Sequence, residues 1–187
     1  MRGVKKMDAQ TNITNAGQKI RTVDITVTAA MAALVFLGTY IFKIPTISGY
    51  VHLGDCMILL TVALFGMKKG AIAGAIGGGL SDFIGGYFYW VVPTLLIKCM
   101  WAIVMSLIMH KVLKDKKGSF LIGAIAGGVL HIIAYTLVRA ALYSGKTAII
   151  EIPALTFQTG AGIVIGFVIY MLLKKSGVAG RLSGMVK

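Results

Sequence analysis

Charge is scarce in this sequence. Only 13% of its 187 residues are Asp, Glu, Lys or Arg, against 57% hydrophobic. A soluble domain of this length has too little interior for so much apolar surface, so an integral membrane protein of one domain is expected. Cysteine is scarce too. Cys56 and Cys99 both lie in apolar segments, which excludes a disulfide framework and a thiolate metal site and leaves them as small core residues. Neither metal nor cofactor is expected. The glycine-rich stretch at 70–86 lacks the Gly-Lys-Ser/Thr ending of a phosphate loop. No strict internal repeat argues for the inverted-repeat design of many secondary transporters. The first twenty residues are polar and the first apolar run is a full span, so no cleaved signal is expected.

What is present is a net charge of +13 in short basic clusters between apolar blocks. No separate basic, aromatic-rich module exists, so nucleic acid is not the partner. The apolar segments fall at 24–42, 53–66, 70–86, 91–112, 119–143 and 152–173. A bilayer core of about 30 Å needs roughly 20 helical residues, so the second and third segments are short. They read as two short or tilted helices around a Gly66–Gly70 turn rather than as a re-entrant hairpin. With six spans, fifteen of the nineteen Lys and Arg residues lie on one side; the others are Lys43, Lys98, Arg139 and Lys146. Positive residues stay inside. The expected fold is therefore an all-α integral membrane protein with six transmembrane helices and both termini cytoplasmic. Residues 1–22 form a cytoplasmic tail, 23–175 the six-helix domain and 176–187 a second tail. The sequon at Asn12 falls in the first tail and carries no meaning there.

Small residues mark packing faces. Gly70, Gly74 and Gly78 make a ridge with four-residue spacing, and Gly123, Ala126, Gly127 and Gly128 repeat the theme. Ala29 and Ala33 share one face of span one, for packing within the chain or for docking another membrane subunit.

Polar residues within spans are costly, so each needs a reason. On the six-span reading they gather toward the outer side. Asp55 begins span two, as a helix-terminal charge, a ligand contact or a latch for the loop above. His52 sits just outside it. Asp82 and Lys98 lie across a short outer loop and suit an ion pair, or Lys98 binds ligand. Tyr87, Tyr89 and Trp90 form an interfacial belt or stack on a flat ring; Pro93 and Thr94 open span four. His131, Tyr135 and Arg139 share one face of span five, and Arg139 snorkels outward or pairs with Glu151. Gln158 and Thr159, with Thr156, add hydrogen-bonding capacity at similar depth. This set suits a small, flat, polar heterocycle. Ser81 with His131 raises the alternative of an intramembrane serine protease, although no second signature accompanies it. A stand-alone small-molecule carrier is the other alternative.

The stretch GYVHLGDCMILLTVALFGMKKGAIAGAIGGGLSDFIGGYFYWVVPTLLIK resembles the substrate-binding (S) subunits of energy-coupling factor (ECF) vitamin transporters. It is closest to the riboflavin, pyridoxine and hydroxymethylpyrimidine branch. The HLGD string, the Gly-Tyr after an Asp and the PTLLIK opening of span four carry the likeness, which spans about 24–175. The resemblance implies a high-affinity vitamin-binding subunit in the cell membrane, not an enzyme. It implies partnership with a membrane coupling (T) subunit and two ATPases. It also implies coupling-subunit docking through Ala29 and Ala33, and a gate from Lys43 to Leu53 over an outward site. His52, Asp55 and Asp82 are expected to hold that gate. The expected substrate contacts are Tyr87, Trp90, Lys98, His131, Tyr135, Arg139 and Gln158. Pyridoxine or a related pyridine or pyrimidine is the favoured ligand, with riboflavin next.

Overall fold

The structure is a computed structural model and describes residues 21–186. The sequon at Asn12 and Arg2, Lys5, Lys6, Lys19 and Lys187 lie outside the described residues. The chain is helical almost throughout, in the order α1 (Thr22–Tyr40), β1 (Ile44–Pro45), β2 (Tyr50–Val51), α2 (Asp55–Phe65), α3 (Met67–Ile84), α4 (Phe88–Ser106), α5 (Ser119–Leu142), α6 (Gly145–Lys175) and α7 (Val178–Gly184). A π-helical turn, Leu107–Val112, extends α4.

Among the described residues, four helices are long and apolar enough to cross a bilayer: Thr22–Tyr40, Phe88–Val112, Ser119–Leu142 and Gly145–Lys175. At 1.5 Å per residue, the 11 residues of α2 span only about 16 Å. The expected turn at Gly66–Gly70 is in fact a single residue. Gly66, at φ 85°, breaks the helix, and α3 starts at Met67, so Lys68 and Lys69 belong to its first turn. The gap between the fifth and sixth apolar segments shrinks likewise. α6 begins at Gly145, where the Ser144 side chain accepts from the Thr147 N–H and caps it. Within the expected tail at 176–187, Val178–Gly184 is helical.

Much of the helix surface is apolar, and several polar and charged groups are buried inside. Ile72, Ile76, Leu80 and Phe83 stand exposed along α3, and Ile122, Ile125, Val129, Ile133 and Leu137 along α5. Asp55, Lys98, His131, Arg139 and Glu151 are all buried. Lipid tails wet such a surface, and buried polar groups find partners inside the bundle.

Helix packing relies on the small residues, but not as one ridge. A Cβ on Gly70 or Gly74 would meet Val62 or Ile58 of α2, whereas one on Gly78 would meet Thr94 of α4. Gly77 meets the Ala32 carbonyl of α1, where a Cβ would lie 2.5 Å from the oxygen. On α5, Gly123 and Gly127 face Met105 and Trp101 of α4, while Gly128 faces Thr159 of α6. α3 thus sits between α1, α2 and α4. One apolar core gathers Ile58, Leu59, Val62, Trp101, Met105, Phe120 and Ala124. A smaller one, nearer the hairpin, gathers Trp90, Ile97, Tyr135 and Leu155. Cys56 is buried and Cys99 packs against the larger core, both as free thiols.

Candidate functional site

The stretch after α1 folds into a small hairpin. Ile44 pairs with Val51 and Pro45 with Tyr50, and the Thr46 N–H donates to the Gly49 carbonyl at 3.0 Å across the turn. Ser48, Tyr50 and His52 tie it to the helices. The Ser48 N–H and hydroxyl donate to Glu151 Oε1 of α6 at 2.7 and 3.0 Å. The Tyr50 hydroxyl donates to Asp82 Oδ1 of α3 at 2.5 Å. The His52 N–H donates to Gln158 Oε1 of α6 at 3.3 Å. Lys43 lies over the Tyr50 ring, 4.6 Å from its centroid. Burial holds the His52 imidazole well below its ordinary pKa, at about 4, against the pull of Asp55. Its Nδ1 accepts from the Gly54 N–H at 3.2 Å.

Beneath the hairpin lies a cavity of about 40 Å³, lined by Thr39, Gly49, Tyr50, His52, Asp82, Trp90, Thr94, Tyr135, Arg139, Leu155 and Gln158. Small-molecule pockets run to roughly 300–1,000 Å³. This space falls well below that range. A vitamin-sized ligand therefore needs the hairpin or its neighbours to move. The wall is aromatic on one side: Trp90 stacks with Tyr135 at 5.7 Å, and the Arg139 guanidinium lies 5.2 Å over Trp90. Arg139 pairs with Glu151 at 3.4 Å, while its buried Nε and Nη1 have no acceptor among the described residues. A buried donor left unmet costs about 1–3 kcal/mol, so these N–H groups favour any ligand that brings an acceptor.

Below the cavity runs a buried polar chain. Lys98 donates to Asp55 Oδ1 in a short ion pair, and Gln158 Nε2 donates to Asp55 Oδ2 at 2.7 Å. Lys98 Nζ also lies 3.2 Å from His131 Nε2. An ammonium only donates, so His131 accepts there and its Nδ1–H donates to Thr159 Oγ1 at 3.1 Å. Thr159 in turn donates to the Leu155 carbonyl at 2.8 Å. The chain reaches the hairpin through Gln158 and His52.

Two expectations need correcting. Lys98 does not pair with Asp82. It pairs with Asp55, because α2 packs into the bundle beside α4 and α6 and brings that carboxylate to full burial. Asp82 instead receives Tyr50. Nor does Asp55 serve mainly as a helix-terminal charge, because both its oxygens reach across to other helices.

Of the expected substrate contacts, Trp90, Tyr135, Arg139 and Gln158 line the cavity. Lys98 and His131 lie under it, in the polar chain, and Tyr87 stands outside it with its ring 4.9 Å from that of Tyr50. His52 and Asp82 line the cavity too, and Asp55 lies below. Thr39, Gly49, Tyr50, Thr94 and Leu155 were not expected there. The Gly-Tyr next to HLGD and the Thr opening α4 were the available signals; Thr39 and Leu155 offered none. Tyr89 is 82% exposed and Thr156 is exposed, so neither joins the site. Ser81 meets the Tyr50 hydroxyl at 3.3 Å, whereas His131 is engaged by Lys98 and Thr159, so the serine and histidine of a protease are not paired. Ala29 and Ala33 are exposed on α1, whose Ala32 and Val35 turn inward.

The family model described as "ECF-type riboflavin transporter, S component" matches residues 19–175. A protein of Pyrococcus woesei described as "Uncharacterized protein in gap 3'region" is 34% identical over 132 residues, which covers 71% of this chain and 87% of that protein.

Proposed function

The chain belongs to the S components of ECF-type riboflavin transporters, and from that premise we propose that it captures a small, flat heteroaromatic vitamin on the outer side of the cell membrane. S components serve vitamin uptake and are not enzymes; they work with a T subunit and ATPase subunits. The observation that carries the ligand reading is the Trp90–Tyr135 wall beside the two unmet N–H groups of Arg139. Stacking suits a flat ring, and the guanidinium suits a ring nitrogen, carbonyl or hydroxyl. The small cavity favours pyridoxine or hydroxymethylpyrimidine, which need less rearrangement. Riboflavin is the second reading, favoured by the family's own description.

In this proposal all six helices α1–α6 cross or enter the bilayer, with both termini cytoplasmic. The basic clusters at 68–69, 111–117 and 174–181 support that orientation. The hairpin is the gate, His52 and Asp82 hold it, and Asp55 anchors the polar chain on which it rests. The exposed Ala29 and Ala33 face offers a smooth seat for the T subunit. Titration of the purified protein in detergent, followed by Trp90 and Trp101 fluorescence, tests the ligand reading. The panel is pyridoxine, pyridoxal, pyridoxamine, hydroxymethylpyrimidine, riboflavin and thiamine. Saturable quenching by a pyridine or pyrimidine vitamin at nanomolar concentration is expected. Saturation by riboflavin alone selects the second reading, and no response to any of the six refutes both.

A further inference from the structure

The hairpin tip and the ligand wall share one ion pair. Glu151 uses Oε1 for Ser48, at the hairpin tip, and Oε2 for Arg139, which borders the cavity. Both members are deeply buried, Arg139 at 6% and Glu151 at 3% exposure. Gly49, next to Ser48, lies so close that a Cβ there would be 3.7 Å from Arg139 Nη2. Nη2 faces Glu151, while Nε and Nη1 remain without acceptors. The guanidinium therefore spends one edge on the latch and keeps the rest for whatever enters the cavity.

We propose that Glu151 is a positioning residue that latches the Ser48 tip of the hairpin, and that Arg139 links this latch to the ligand by giving its free N–H groups to an acceptor atom of the bound molecule. Among the described residues, the Glu151 carboxylate is the side-chain acceptor that both Ser48 donors reach. Without its charge, Arg139 loses its counter-ion and the Ser48 hydrogen bonds weaken, since hydrogen bonds to ionised groups are about twice as strong as neutral ones. A ligand acceptor on Nε or Nη1 fixes the guanidinium against Trp90. That holds Glu151 in line with Ser48, so filling the site tightens the tip. The ligand side of this proposal rests on the reading of the cavity as the vitamin site; the latch itself does not.

Hydrogen–deuterium exchange of the full chain in detergent separates the two. In the ligand-free protein, Glu151→Gln is expected to speed exchange of residues 46–51 at least tenfold, with the 113–118 connection unchanged. Glu151→Gln leaves Arg139 buried without a counter-ion and endangers folding. The Arg139→Gln/Glu151→Gln pair avoids that and should release the tip to the same degree. Unchanged exchange at 46–51 in both variants overturns the latch, and so does faster exchange throughout the chain. Riboflavin and pyridoxine are the ligand probes. Whichever binds the wild type should slow exchange at 46–51, and this slowing should vanish in Arg139→Gln at saturating probe. Slowing that persists there refutes the link through Arg139. Failure of both probes to bind the wild type counts against the vitamin reading, and the latch is then decided by the ligand-free exchange.

Discussion

Lys98 and Asp55 allow the sharpest energetic test. Their side chains are 1% and 0% exposed, and they form a direct ion pair. Removing one member strands the other charge. A broken buried pair costs roughly 3–5 kcal/mol, whereas replacing both members with neutral groups is often close to neutral. Lys98→Met is therefore expected to destabilise by about 3–5 kcal/mol, and Asp55→Asn by a similar amount because Lys98 is left charged. For a chain of this length roughly 2–4 °C per kcal/mol applies, so each single variant should melt about 6–20 °C lower. The double variant should recover most of that loss. Lys98→Met also removes the partner of His131 Nε2, but it does so in both the single and the double variant, so that cost cancels in the cycle. Thermal melting of the four proteins in one detergent gives the coupling. A coupling near or above about 2 kcal/mol is expected. Additive losses, with the double variant as unstable as the sum of the singles, would refute the account of the pair as mutually compensating charges.

Other outcomes follow from the same geometry. With the hairpin closed, burial holds the His52 imidazole at a pKa of about 4, below its ordinary 6.5, and opening that exposes the ring to water should return it toward the ordinary value. The neutral ring therefore supports closure fully above about pH 6.5. That support is lost as pH falls toward 4, by on the order of a hundredfold in the closed-to-open ratio. The charges facing it are Asp55, Lys98 and Lys43. Exchange of residues 46–51 measured from pH 7 to 4 should show the loss, and His52→Gln should flatten it; an equally steep profile in the variant would assign the effect elsewhere. Gly77→Val puts a Cβ 2.5 Å from the Ala32 carbonyl oxygen and 2.7 Å from the Val35 Cβ, with two further methyls to accommodate. It should cost about 1–3 kcal/mol of melting stability, while Gly160→Ala, where a Cβ meets open space, should cost little. Ala33→Trp on the exposed face of α1 should abolish vitamin uptake in cells while leaving binding by the purified subunit intact. Retained uptake would favour a stand-alone carrier.

Composition and periodicity determined much about this protein by themselves. Long apolar runs fixed the membrane class, because few soluble interiors can hold so much apolar surface. The 3.6-residue period put His131, Tyr135 and Arg139 on one face of α5, and all three are buried there. Glycine spacing marked α3 as a packing helix, although it could not say that Gly70 and Gly78 serve different neighbours. The tertiary structure decided the pairings. Lys98 lies 43 residues from Asp55, and Glu151 lies 103 from Ser48. Partners so far apart leave no local signature, and sequence proximity had assigned Lys98 to Asp82. The hairpin was equally hidden, since strands of two residues carry no readable alternation. Helix faces are set by local geometry, and the sequence carries that geometry in full. Which buried charge meets which depends on how the helices pack, and only the folded bundle brings them within reach.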